Sequence, residues 1–167
     1  MSFDEIIDKY RDVVFGMVYL HIGDYHISED ITQEVFIKIY RNLSKFRGDS
    51  GIYTWIYRIT INTIRTHASK EKAVRNKFSF DYMEDAPDDF WDEDKLIEGI
   101  QNSSVISLIQ KLPDRYKEVL ILYYYQDIRV EDISSIVNEP VGTVKSKLYR
   151  GRSMLRDMLI KEGVCSG

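Results

Sequence analysis

The chain has 167 residues, of which 44% are hydrophobic and 30% charged, with 9 Gly, 3 Pro and 1 Cys; collagen-like, linker-like and turn-dense all-β architectures are excluded, since they need frequent Gly or Pro. The net charge of -4 hides segments of opposite sign, -6 over 1–37, +8 over 38–77, -8 over 78–98 and +3 over 139–167, a pattern that suits local polyanion-binding surfaces, although solvated helix faces would show the same numbers. The single Cys165 precludes an internal disulfide and points to a reducing, cytoplasmic setting, while an acidic N-terminus and the lack of an 18-residue apolar run argue against secretion and membrane insertion.

Helical periodicity dominates, and no stretch keeps a strand alternation. Helices are expected at about 3–22, 28–45, 51–70, 97–111, 114–126, 130–137 and 141–160, an all-α chain of two small helical domains. Ser28, Pro113 with Asp114, and Pro140 serve as start signals, and Gly23 and Gly48 as stops. The domains are expected at 1–77 and 100–167, joined by an acidic linker over 78–99.

In the second predicted helix, Ile31, Val35, Phe36, Ile39 and Leu43 form a core stripe. Asp30, Gln33, Glu34, Ile37 and Arg41 cluster on another face. An apolar centre with a charged rim has the composition of a protein-docking patch, and a stray surface Ile would look the same. The third helix carries Trp55, Arg58, Asn62 and Arg65 on one face, away from Ile56, Tyr57 and Ile64. Cations, an amide and an aromatic together can hold a phosphate backbone and stack an unpaired base; the alternative is that Trp55 belongs to the core. Gly48 and Gly51, around Asp49 and Ser50, make a tight loop before it.

The linker acids do not match a calcium loop: starting at Asp88 puts Phe90 at the third position, and starting at Asp92 puts Leu96 at the fifth. No metal site is assigned. Phe90 and Trp91 are expected to dock on a domain or a partner. Neutralising Asp88, Asp89, Asp92, Glu93 and Asp94 is expected to raise binding of the free protein to random DNA.

Residues 130–152, VEDISSIVNEPVGTVKSKLYRGR, read as a short helix, a turn at Asn138, Glu139 and Pro140, and a longer basic helix, the layout of a helix-turn-helix. Val144, Leu148, Gly151 and Leu155 make the inward stripe. Lys145, Ser146, Tyr149, Arg150, Ser153 and Arg156 lie outward, where they suit a major groove. Gly142 and Thr143 open the helix and offer free N–H groups to a phosphate. Catalysis is not indicated: His21, His26 and His67 are scattered, His21 and His26 reading as surface residues of a turn, and no HExxH, Walker loop, GxSxG or Cys cluster occurs. No cofactor is expected. A stand-alone DNA-binding regulator, using only the helix-turn-helix, remains as a second reading.

The stretches EDITQEVFIKIYRNLSKFRGDSGIYTWIYRITINT and LPDRYKEVLILYYYQDIRVEDISSIVNEPVGTVKSKLYRGRSMLRDML resemble the extracytoplasmic-function (ECF) sigma factors, promoter-specificity subunits of bacterial RNA polymerase. The resemblance implies a non-enzymatic factor that directs core polymerase (β′ clamp helices and β subunit) to promoters, in response to envelope or environmental stress. It implies that Asp30, Gln33, Glu34, Ile37 and Arg41 dock on polymerase. Phe46, Arg47, Gly48, Asp49 and Ser50, with Trp55, Arg58, Asn62 and Arg65, would capture and hold single-stranded DNA at the -10 element. Thr143, Lys145, Ser146, Lys147, Tyr149 and Arg150 would read the duplex -35 element. An anti-sigma factor, able to hold the chain at the membrane, is implied as a further partner. Departures from the family pattern are Ser134, where Ala is frequent, and Gln126, Asp127 and Ile128, where an acidic-Gly pair is frequent. Lys145 and Lys147 stand where Arg is frequent, which implies a softer -35 preference because Lys lacks the bidentate fork.

Overall fold

A computed structural model describes residues 1–74 and 103–163. These residues fall into two compact units. The expected linker, including Phe90 and Trp91, lies outside the described residues, as do 97–102 of the fourth predicted helix and Cys165.

The first unit packs three helices pairwise: α1 (Phe3–Ile22), α2 (Tyr25–Asn42) and α3 (Ile52–Val74). A capping box starts α1, with Glu5 N–H donating to Ser2 Oγ (3.2 Å) and Ser2 N–H to Glu5 Oε2 (2.6 Å). The backbone hydrogen bond from Ser2 holds the Glu5 carboxyl below the usual carboxylate range. Gly23 ends the helix as expected, in the left-handed region at φ 81° with its N–H on Tyr19 O.

The start of α2 departs from expectation. Asp24, directly after Gly23, is the cap, its Oδ1 accepting from Ile27 N–H at 2.9 Å. Ser28 sits a turn later, fully buried, and donates to Asp24 O instead. Two residues in sequence can cap here, and the one adjoining the glycine does so because its extended backbone completes the reversal. The α-helix ends at Asn42 and tightens into a 3-10 turn at Leu43–Lys45, so Gly48 (φ 78°) shapes the following loop rather than stopping the helix.

The core joins Ile6, Val14, Met17 and Val18 of α1 to Ile31, Val35 and Ile39 of α2 and Ile56, Ile61 and Ile64 of α3. Threonines share this interior. Thr32, Thr60 and Thr63 donate to the carbonyls of Ser28, Ile56 and Ile59 one turn back, which satisfies hydroxyls that burial would otherwise strand. His21, expected at the surface, is buried, and its Nδ1–H donates to Met17 O at 2.7 Å. Its position i+4 from that carbonyl turns the ring inward along the helix.

The second unit holds α4 (Ser103–Gln110), α5 (Asp114–Leu120), α6 (Val130–Val137) and α7 (Val141–Lys161). The helix expected over 114–126 is α-helical only to Leu120, then widens to a π-helical segment at Ile121–Tyr125, with Gln126 N–H on Ile121 O. The extra residue per turn lets Ile121, Leu122 and Ile128 all be buried. Asp127 accepts a positive φ of 51° to close this bend. The buried Lys117 donates to Gln110 O at the end of α4 (3.1 Å) and lies 3.4 Å from Asp114.

Helix α7 crosses α5 closely at Gly151, where a Cβ would stand 3.0 Å from Leu120 Cδ1. Its other inward residues, Val144, Leu148, Leu155 and Leu159, are buried, so the predicted stripe is the packed one.

Candidate nucleic-acid and polymerase interfaces

On α2, burial of Ile31, Val35 and Ile39 leaves Asp30, Gln33, Glu34, Ile37 and Arg41 exposed together. Ile37 is 44% exposed. Glu34 pairs with Lys38 one turn on (3.2 Å), and Lys38 also donates to Thr63 Oγ1, which ties α2 to α3. The sequence reading passed over Tyr40, 67% exposed one turn beyond Ile37, with its ring edge-on to Phe3 at 5.0 Å. Its i+3 spacing from Ile37 was the available signal. Tyr25 was also missed. With Phe15 and Phe36 it lines a groove between α1 and α2, whose rim includes Asp30 and Gln33. The patch therefore continues from α2 toward α1.

The loop and α3 form a second surface. Trp55 is half-buried rather than in the core, with its ring centroid 5.0 Å from that of Phe46 at a tilt of 39°. Arg47, Gly48 and Asp49 are exposed and Ser50 is half-buried. Arg58, Asn62 and Arg65 recur at i, i+4 and i+7, with Asn62 exposed and both arginines half-buried. On the core side of α3, Tyr57 is buried, edge-on to Tyr53 and Tyr10. Desolvation, helped by the neighbouring Tyr10 and Tyr53, pushes its hydroxyl up to about 12, so it remains neutral.

In the second unit Asn138 takes the left-handed conformation (φ 58°, ψ 50°), its N–H on Ser134 O. Pro140 then precedes α7 at φ -58°. Thr143 and Lys145 are exposed, and Ser146, Tyr149 and Arg150 are half-buried, all off the core stripe. Lys147 differs. It flanks the stripe, and its Nζ lies 2.6 Å from Glu139 Oε1, with side chains only 19% and 24% exposed. Arg152 reaches back to donate to Tyr124 Oη at 3.0 Å, anchoring α7 to the π segment.

Known proteins share this arrangement. Residues 6–74 match the Sigma-70 region 2 model and residues 103–155 the Sigma-70 region 4 model. The RNA polymerase sigma-H factor of Pseudomonas aeruginosa is 34% identical over 165 residues, covering 92% of this chain and 84% of that protein. The ECF RNA polymerase sigma factor SigW of Bacillus subtilis is 32% identical over 166 residues, covering 95% and 89%. Among solved structures, the sigma factor RpoE of Bartonella quintana, in complex with the anti-sigma factor NepR, shares the fold at TM-score 0.72 and 17% identity, covering 94% of this chain and 96% of that one. CnrH in complex with the cytosolic domain of CnrY does so at TM-score 0.68 and 18% identity, covering 95% and 88%. Two family regions in the expected order, and relatives aligned over nearly the whole chain, place this protein among the ECF RNA polymerase sigma factors.

Proposed function

We propose that residues 1–77 bind core RNA polymerase and the -10 element, that 100–167 bind the -35 element, and that together they direct promoter-specific transcription initiation. The observation that carries this reading is that one chain exposes both an Ile37-centred, charge-rimmed helix face and a neighbouring Phe46–Trp55 surface backed by Arg58, Asn62 and Arg65. A regulator that only held duplex DNA would have no use for either. Polymerase docks at Asp30, Gln33, Glu34, Ile37 and Arg41. Trp55 and Phe46 offer a stacking face for an unpaired base, with Arg47, Gly48, Asp49 and Ser50 around it, and Arg58, Asn62 and Arg65 hold the strand. Thr143, Lys145, Ser146, Tyr149 and Arg150 face the major groove, and Lys147 stands at its edge.

The chain performs no bond chemistry in this scheme. Melting is driven by base capture and by polymerase binding. Its place of action is the cytoplasm, and among the described residues no helix is long and apolar enough to cross a membrane. One structural neighbour is the sigma factor RpoE in complex with the anti-sigma factor NepR, which supports an anti-sigma partner here, with release under envelope or environmental stress.

In vitro transcription from pooled genomic fragments, with core polymerase and with or without the chain, tests this reading. Discrete new start sites that vanish with Ile37→Glu or Arg150→Ala are expected. Absence of start sites, with duplex binding by the chain alone, would transfer the assignment to a stand-alone regulator.

A further inference from the structure

The Glu139–Lys147 pair sits in the helix-turn-helix itself. Glu139 is the middle residue of the turn, and its backbone is pinned twice by Ser134: Glu139 N–H donates to Ser134 O at 3.1 Å, and Ser134 Oγ donates to Glu139 O at 2.5 Å. Pro140 restricts the next φ to -58° and Asn138 holds the preceding left-handed bend. The carboxylate is thus delivered to Lys147 by a rigid frame. Its 2.6 Å contact with the ammonium group is mostly shielded from water, so the pair is weakened less by salt than an exposed one. The second of these pins comes from the Ser134 hydroxyl, so an alanine at this position would leave only the first.

We propose that Glu139 is an internal rival of the DNA backbone for Lys147, so that the helix-turn-helix engages duplex DNA with one phosphate contact fewer than its count of basic residues suggests. The inference rests on the reading of α7 as the duplex-binding helix. Phosphate contacts are blind to sequence and supply most of non-specific affinity. Taking Lys147 out of that set lowers binding to bulk DNA more than it lowers base readout by Ser146, Tyr149 and Arg150, and so raises the ratio of specific to non-specific binding. Glu139 is in this sense a specificity-determining residue that touches no base.

The test is the salt dependence of full-chain binding to a labelled 30-base-pair duplex of random sequence, followed by fluorescence anisotropy between 50 and 200 mM salt. Glu139→Gln and Glu139→Ala are compared with Glu131→Gln, which removes the same charge from an exposed position at the start of α6. Each released phosphate contact steepens the log–log slope by about 0.9. Both Glu139 variants are therefore expected to lose about 3.5-fold more affinity than the control across that range. Adding Lys147→Gln to Glu139→Gln is expected to cancel the extra slope.

Slopes equal to that of Glu131→Gln, or an extra slope that survives Lys147→Gln, would overturn the proposal, as would a lack of measurable binding by the Glu139 variants. Arg150→Ala and Lys145→Ala on the same duplex separate the two levels of the argument. If they leave binding intact, the reading of α7 itself fails. If they weaken it while the Glu139 variants match the control, only the rivalry is refuted.

Discussion

Ile37 provides the sharpest test of the polymerase-docking face. The side chain is 44% exposed, and full burial of an Ile contributes about 1.5–3 kcal/mol, so covering the remaining surface stabilises the complex by about 0.7–1.3 kcal/mol. Ile37→Ala should therefore weaken binding to core polymerase by about 3- to 9-fold. Ile37→Glu should do far more, because a carboxylate placed at the dry centre of an interface beside Glu34 and Asp30 costs about 3 kcal/mol or more, a loss of at least about 150-fold. Neither change should disturb the fold, since the core-facing residues of α2 are Ile31, Val35 and Ile39. The assay is equilibrium competition against the wild-type chain for core polymerase, with helicity monitored by circular dichroism. Binding of both variants within twofold of wild type, at unchanged helicity, would refute the assignment of this face.

Trp55→Ala should slow opening of a promoter by about 5- to 150-fold, from the loss of about 1–3 kcal/mol of base stacking, while leaving transcription from a template already mismatched around -10 much less affected; permanganate footprinting of unpaired thymines reads the difference. Lys117→Met should destabilise the second unit by about 1–3 kcal/mol in urea unfolding, because Gln110 O loses its charged donor at a buried site. Because the folded Tyr57 hydroxyl is raised to about 12 above its ordinary value near 10, its contribution to stability is intact below about pH 10 and is lost as pH rises toward 12. Tyr57→Phe should flatten the alkaline decline of the first unit's stability, and an unchanged decline would remove Tyr57 as its source.

The helical class, the order of the elements, the inward face of α7 and the Ile31, Val35 and Ile39 stripe of α2 were legible in the sequence, because apolar periodicity reports directly which side of a helix meets a core, whereas Phe36 and Leu43, expected in that stripe, are only half-buried. The turn before α7 was legible too, since Asn138 and Pro140 restrict the backbone locally. Local signals were silent where two residues competed for one task. Ser28 and Asp24 are both capable caps, and only the geometry of the Gly23 reversal selected Asp24. The conversion of α5 into a π segment depended on fitting Ile121, Leu122 and Ile128 into one core, which no helical wheel displays. Trp55 was ambiguous by composition, and its placement against Phe46, nine positions earlier, required the loop to fold back. Lys147 shows the limit most clearly: the family resemblance grouped it with the other basic residues of α7, and nothing in the sequence showed that the turn carries Glu139 back across the helix start to meet it. Periodicity is a property of one element, and the pairing of side chains across a turn or between helices is settled only when those elements pack.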